Sequence, residues 1–195
     1  MNLANAITIA RIFLVPVIIF ILLVRWDLPP LRLGEYSVSW NQLIATVVFV
    51  VAASTDKLDG YIARSRRMET NLGKLLDPLA DKLLNASVLI SLVEMRKLAA
   101  WIAIVIISRE FAVTGLRQLA LLEGKVIPAD KWGKWKTATQ IVAIIAIMLN
   151  NFPFLFIDFP FDLIASWTAA GVTIVSGVVY FVKNRDLLRF PRHRP

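Results

Sequence analysis

The sequence has 195 residues, of which 57% are hydrophobic, and it carries a formal net charge of +8. Its apolar residues form runs close to the length that a helix needs to cross about 30 Å of hydrocarbon. It contains no cysteine, and its one histidine, His193, lies near the C-terminal end. The composition therefore indicates an integral membrane protein and excludes disulfides, thiolate nucleophiles and cysteine-ligated metals.

The apolar runs predict six transmembrane helices, since long helical runs exclude the alternating pattern of a transmembrane β-barrel. In chain order the predicted spans are Ile7–Val24, Trp40–Ser54, Leu75–Val93, Leu98–Leu122, Thr137–Asn150 and Phe161–Val182. Two segments between spans, WDLPPLRLGEYSVS and NNFPFLFIDFP, are rich in turn-forming residues and are predicted as short loops. The fold class is thus all-α, a polytopic six-helix membrane bundle, with residues 1–195 forming a single domain. We expect the first helix to be retained, because Met1–Ala10 lacks the basic region of a signal peptide.

Lysine and arginine are distributed unevenly between the two predicted sides. One side carries Lys57, Arg64, Arg66, Arg67, Lys74, Arg117, Lys125, Lys131, Lys134, Lys136, Lys183, Arg185, Arg189, Arg192 and Arg194, and the other only Arg25, Arg32, Arg96 and Lys97. Positive loops remain cytoplasmic, so both termini are predicted to face the cytoplasm. The net charge then reflects orientation and attraction to anionic lipid headgroups, with no nucleic-acid partner.

Four aspartates gather at one cytoplasmic loop. Asp56 and Asp59 are three residues apart, and Asp77 and Asp81 are four apart, so each pair projects from one face of a helix. Unneutralised carboxylates this close would repel one another, and bound cations are a common remedy. Oxygen ligands without histidine or cysteine suit Mg²⁺ or Mn²⁺ first, with Ca²⁺ possible, and argue against zinc.

A plainer interpretation treats these aspartates as solvated helix caps paired with nearby lysines and arginines. Small residues interleaved with the acids weaken that interpretation, because they suit a close backbone approach: Gly60, Ala63 and Gly73.

These residues carry a family resemblance. The stretch Asp56-Lys-Leu-Asp59-Gly60-Tyr-Ile-Ala63-Arg64, followed after eight residues by Gly73-Lys-Leu-Leu-Asp77-Pro-Leu-Ala-Asp81, resembles the signature of the CDP-alcohol phosphotransferase family at every defining position. The resemblance implies a six-helix membrane enzyme, usually a homodimer, that uses divalent metals to displace CMP from a CDP-linked lipid by an alcohol. It also implies that Asp81 accepts the proton of the acceptor hydroxyl.

Further motifs are similar to those of bacterial members of the family that transfer the phosphatidyl group of CDP-diacylglycerol to sn-glycerol 3-phosphate. They are Asn5-Ala-Ile-Thr8-Ile-Ala-Arg11, Ser108-Arg109-Glu110-Phe111, Thr114-Gly115-Leu116-Arg117, and Gly133-Lys134-Trp135-Lys136-Thr137 with Gln140. The resemblance implies a bacterial plasma-membrane enzyme whose active site faces the cytoplasm. It is further expected to use two metal ions held by the four aspartates, with Asp56, Gly60, Ala63, Arg64 and Gly73 at the CDP-lipid.

The basic residues suggest the acceptor independently. Arg109 follows a ten-residue apolar stretch, about 15 Å of helix, so it needs a partner or a wet cavity within the bilayer. Arg117 lies just over two turns further along nearly the same face. With Lys134 and Lys136 they could surround a dianionic phosphate, although Glu110 could merely pair with Arg109, and the lysines could anchor the helix at the interface.

Thr8 and Arg11 lie three residues apart on the first helix and could face the same cavity. Arg11 could equally extend to the nearby cytoplasmic surface.

Two other functions fit part of the pattern. A cation-coupled transporter also uses intramembrane acids and arginines, but such proteins usually contain repeated broken helices, and no repeat is visible here. Another acceptor within the family, such as phosphatidylglycerol or inositol phosphate, is the nearer alternative.

Overall fold

The computed structural model describes residues 3–24, 28–33, 36–65, 71–122, 124, 127 and 131–185, and of residues 3–8, 33, 36, 56–65, 71–78 and 122 the backbone only. Six α-helices occur in this part of the chain: α1 Leu3–Leu23, α2 Trp40–Ser65, α3 Asn71–Glu94, α4 Ala100–Leu122, α5 Lys131–Met148 and α6 Phe161–Lys183. Two short strands, β1 Leu31–Leu33 and β2 Tyr36–Val38, and a 3₁₀ turn, Phe154–Ile157, complete the described elements. The mostly helical class is confirmed.

The helices extend beyond several predicted spans. α2 continues to Ser65, eleven residues past the predicted end, and α3 begins at Asn71 rather than Leu75. Hydropathy marks the apolar part of a helix, whereas the backbone hydrogen bonds of the helix continue into polar sequence. The aspartate pairs therefore lie in helical backbone, as their spacing requires.

The first predicted loop is wrong in one respect, because it contains a small antiparallel hairpin. Leu31 pairs with Val38, and Leu33 pairs with Tyr36, across a two-residue connection. Strands of only three residues are too short for hydrophobic periodicity to predict them, so the sequence pattern did not indicate this hairpin.

The bundle is organised as two groups of three helices. α1 packs against α2 and α3, while α6 packs against α4 and α5, and contacts of α3 with α4 and of α5 with α2 and α3 join the groups. Large side chains fill the shared core, among them Phe49, Val88, Leu92, Ile144 and Met148. Burial of such side chains is the main favourable contribution to packing within the bundle.

The outer surface of the bundle is strongly apolar. Phe13, Val47, Ile104 and Val178 are 58–70% exposed, which suits a lipid surround. Within the described residues, Phe161–Lys183 is the one helix that meets both the length and the apolarity needed to cross a membrane, and Ile9–Leu23 and Trp40–Thr55 are shorter apolar segments. Six spans therefore stay a prediction.

At the end of the bundle formed by the α3–α4 and α5–α6 connections, one asparagine links several elements through hydrogen bonds. Asn150 donates from Nδ2 to Oε1 of Gln42 at 3.2 Å and to the main-chain oxygen of Ser37 at 3.3 Å, and it accepts from Lys97. Burial lowers the pKa of Lys97 to about 8. This network ties the hairpin to the start of α2, to the α3–α4 connection and to the end of α5.

Thr173 on α6 provides a test of the core. It is fully buried, and among the described residues its Oγ1 has no hydrogen-bond partner. An unsatisfied buried hydroxyl costs about 1–3 kcal/mol, so Thr173→Val should raise the melting temperature of purified protein in detergent by several degrees. Ser166→Ala on the same helix is the control and should not be stabilising, because Ser166 Oγ donates to the main-chain oxygen of Asp162 at 2.5 Å. A lower melting temperature for Thr173→Val would mean that this hydroxyl has a partner.

Candidate active site

A cavity of about 560 Å³ opens between α3, α4, α5 and α6, at the end opposite Asn150. Its walls are Asp81, Lys82, Arg109, Glu110, Val113, Thr114, Arg117, Gly133, Lys134, Lys136, Thr137, Ala138, Ile141 and Tyr180. Five of these residues are basic and two are acidic, which gives the walls a formal charge of +3. A concave site with convergent charges is the expected form of a binding site for a small anionic molecule.

Helix geometry explains why the basic residues meet here. Arg109 and Arg117 are eight residues apart on α4, or about 12 Å of rise, and face nearly the same direction. Lys134 and Lys136 lie in the first two turns of α5. Because α4 ends and α5 begins at the same end of the bundle, the charged part of each helix reaches one cavity.

Glu110 lies at the centre of the basic cluster. Its Oε1 accepts from Nη1 of Arg109 at 3.4 Å and also forms an ion pair with Nζ of Lys136. The side chains are well covered, with 12% of Arg109, 17% of Glu110 and 6% of Lys136 exposed. A buried cation without a partner is costly, so this carboxylate is needed. One anion serving two cations leaves the cluster positive.

α6 supplies neutral partners to the two arginines. Nη2 of Arg109 donates to Oγ of Ser176 at 2.5 Å, and Nε of Arg117 donates to the hydroxyl of Tyr180 at 3.0 Å. The guanidinium carbon of Arg117 is 5.6 Å from the centre of the Tyr180 ring, a distance that the hydrogen bond itself accounts for. These hydroxyls orient the cations without neutralising them.

Asp81 brings a carboxylate from α3 to the wall of the same cavity. It is half-buried on α3, its Oδ1 accepts from Nδ2 of Asn85 at 3.1 Å, and it is close enough to Lys136 to interact electrostatically. Within the described side chains, no three acidic or histidine residues lie together as a metal site would require. The chemistry of the four aspartates, hard oxygen donors on two helix faces, nevertheless fits a divalent cation.

The predicted site residues divide into three groups. Asp81, Arg109, Arg117, Lys134 and Lys136 line the one cavity. Arg11 is buried and is absent from the cavity wall, and its burial argues against the alternative of an extension to the surface. The side chains outside the described part of the chain are Thr8, Asp56, Asp59, Gly60, Ala63, Arg64, Gly73 and Asp77.

Sequence analysis did not predict Lys82, Ser176 and Tyr180 as site residues, and it named Thr114 only as part of a motif. A signal existed on α6, where Thr173, Ser176 and Tyr180 recur every three or four residues within an otherwise apolar span and so form one polar face.

The sequence is similar to known proteins over most of its length. Residues 1–178 match the profile of the CDP-alcohol phosphatidyltransferase family. A Bacillus subtilis protein named CDP-diacylglycerol–glycerol-3-phosphate 3-phosphatidyltransferase is 47% identical over 188 residues, covering 96% of this chain and 97% of its own length. Proteins of the same name from Rickettsia bellii and Pseudomonas fluorescens are 35% and 34% identical, covering 92% of this chain and 93% and 88% of their own lengths.

The match extends over the aspartate motif, the cavity helices and most of α6. The predicted membership is therefore confirmed, and the chain belongs to the CDP-alcohol phosphatidyltransferase family.

Proposed function

We propose that the protein transfers the phosphatidyl group of CDP-diacylglycerol to sn-glycerol 3-phosphate, giving phosphatidylglycerophosphate and CMP. The observation that carries the proposal is the cavity itself, which Asp81 lines together with a cluster of cations held by α4 and α5. The names of the relatives that match over nearly the whole chain support the same reaction.

The basic wall binds the acceptor through its phosphate. Arg117 makes no hydrogen bond from Nη1 or Nη2 to any of the described residues, so both nitrogens can reach phosphate oxygens as a fork. Lys134, which is exposed on α5, lines the same cavity and adds a further positive charge. A dianion matches a wall whose formal charge is +3, whereas a neutral alcohol would leave these cations unbalanced.

The four aspartates would hold the divalent ions, with Gly60 and Ala63 leaving room for the cytidine and Arg64 at its phosphates. When bound, such ions neutralise charge on the cleaved pyrophosphate and on the departing CMP. Asp56 and Asp59 lie in the C-terminal half of α2, and Asp77 and Asp81 lie in the N-terminal half of α3. Only residues 66–70 separate the two helices, so both aspartate pairs lie toward the same side of the bundle.

Asp81 is the proposed base. The acceptor hydroxyl loses its proton to this carboxylate while its oxygen forms a bond to the phosphatidyl phosphorus, and the pyrophosphate P–O bond breaks to release CMP. Asn85, which donates to Oδ1, holds the carboxylate in place. The phosphate bound among the arginines brings the hydroxyl to Asp81 across the cavity, and no covalent intermediate on the protein is needed.

The proposal also covers the membrane topology and the oligomeric state. We propose six spans in a bacterial plasma membrane, with the cavity and both termini cytoplasmic, because the basic residues concentrate at the cavity end. The homodimer implied by the family resemblance is proposed with them.

Removal of a metal-binding carboxylate tests the metals. Asp59→Asn and Asp77→Asn should each lower CMP release from CDP-diacylglycerol by on the order of a hundredfold, and EDTA should abolish release by the parent. Asp158→Asn, an exposed carboxylate at the opposite end, is the control. Parental rates for either variant in chelator would contradict the metal assignment.

Substitution of Arg117 tests the acceptor. Arg117→Ala should raise the KM for sn-glycerol 3-phosphate by about tenfold to a hundredfold, because a charge-assisted pair is lost, while the KM for CDP-diacylglycerol stays near the parental value. Arg185→Ala removes an exposed charge just beyond α6 that does not line the cavity, and it should change neither constant. A panel with inositol phosphate and phosphatidylglycerol completes the measurement, and preference for either would replace the proposed acceptor.

Glu110 provides a test of the electrostatics of the cavity. Glu110→Ala should lower the free energy of unfolding by about 3–5 kcal/mol, because it leaves Lys136 buried without its anion. Sodium phosphate at millimolar concentration should restore more of the melting temperature of this variant than of the parent, since phosphate can replace the lost carboxylate. Equal protection of the two proteins would show that the cluster does not bind the anion.

A further inference from the structure

The two arginines of α4 are both hydrogen-bonded by α6, although nothing in the sequence motif of the family resemblance involves that helix. Ser176, which accepts from Arg109, is 1% exposed, and Tyr180, which accepts from Arg117, is 3% exposed. A serine and a tyrosine this deeply buried need hydrogen-bond partners, and each has an arginine as its partner.

The two contacts on α6 are spaced more closely than the two arginines on α4. Arg109 and Arg117 start about 12 Å apart along α4, whereas Ser176 and Tyr180 are four residues apart, about 6 Å along α6. The order of the contacts shows that the two helices run in the same direction. The partners on α6 are thus closer together along the helix axis than the two arginines are on α4, and Arg109 and Arg117 are near enough for each charge to act on the other.

Gly177 allows the approach of Arg109 to α6. A Cβ atom at this position would lie 3.2 Å from Cγ of Arg109, closer than ordinary van der Waals contact. The absence of a side chain lets the stem of Arg109 cross the surface of α6 and reach Ser176, one residue earlier. Glycine thus suits this position for space rather than for backbone conformation, because a Cβ would force the stem of Arg109 to shift by a few tenths of an ångström.

Proximity of two cations is unfavourable unless an anion joins them. Glu110 contacts Arg109, and none of the described residues places a carboxylate on Arg117. Hydroxyl groups can orient guanidinium groups without neutralising their positive charge. That charge therefore remains able to attract an anionic ligand.

We propose that Ser176, Gly177 and Tyr180 form a positioning face on α6 that fixes the separation of Arg109 and Arg117 so that both contact one phosphate group of the acceptor. This inference rests on the proposed function for the identity of the acceptor, but its geometry concerns any phosphate monoester. α6 thereby takes part in choosing the acceptor without touching the CDP-lipid.

The test separates acceptor binding from stability and from lipid binding. Ser176→Ala and Tyr180→Phe remove single hydroxyls, and each should raise the KM for sn-glycerol 3-phosphate by about tenfold, because a hydrogen bond to a charged group is lost. The KM for CDP-diacylglycerol should stay within about twofold of the parental value. Gly177→Ala should act like Ser176→Ala by displacing Arg109, and Ser176→Thr, which keeps the hydroxyl, should recover part of the loss.

Thr173→Val is the matched control, since it removes a buried α6 hydroxyl that contacts no arginine, and its acceptor KM should equal that of the parent. Protection of each variant against thermal unfolding by inorganic phosphate gives a second readout that requires no turnover. Parental acceptor KM values and parental phosphate protection for Ser176→Ala and Tyr180→Phe would overturn the positioning role.

The two proposals fail differently. If the parent does not use sn-glycerol 3-phosphate, the proposed function fails, while weakened phosphate protection in Ser176→Ala would still support the positioning face. If the parent uses that acceptor and the α6 variants match it in both readouts, the positioning face is wrong and the function stands.

Discussion

The structure depends on keeping several positive charges within the walls of an apolar bundle. Arg109, Lys136 and Arg117 come from two helices, and their mutual repulsion would separate α4 from α5 if nothing held them. Glu110 holds two of these charges, and hydroxyls of α6 hold the arginines. The contacts that offset the repulsion between these cations therefore also fix the relative positions of α4, α5 and α6.

The two ends of the bundle differ in how their polar and charged groups are satisfied. At one end, Asn150 satisfies polar groups from the hairpin, α2 and the α3–α4 connection. At the other end, one carboxylate is shared between two cations and positive charge remains. Neutral hydrogen bonds thus predominate at one end, and unbalanced positive charge lies at the other.

The helical class, the family and much of the cavity could be predicted from the sequence because they depend on local patterns. Apolar runs mark helices, and the eight-residue spacing of Arg109 and Arg117 places both on nearly one face whatever the tertiary structure. Glu110 was recognised as a partner of Arg109 because it is adjacent in sequence. Its second partner, Lys136, depends on how α5 packs, which no local pattern reveals.

The α6 contacts were missed for a related reason. A serine and a tyrosine in an apolar span are compatible with burial, and only the approach of another helix shows that they receive hydrogen bonds from arginine. Likewise, Gly177 has no turn or cap to explain it, and its role follows from a side chain on a different helix. Arg11 shows the converse, because its position on the first helix could be predicted, whereas its burial depends on how α1 packs against α2 and α3.

Under the proposed function, acceptor selection would follow from the balance of charge in this cavity. A phosphate dianion on the cation cluster would leave a formal charge of +1 on walls that carry +3, whereas a neutral polyol would leave all of it in place. Glu110 would limit the attraction, because without it the walls would hold the phosphate of both substrate and product more tightly, and product release would slow. In the proposed reaction, both the acceptor and the product keep this phosphate. Tighter binding of both would not accelerate the chemical step, so a weaker attraction is favourable. The glutamate inside a phosphate-binding cluster is thus consistent with turnover as well as with folding.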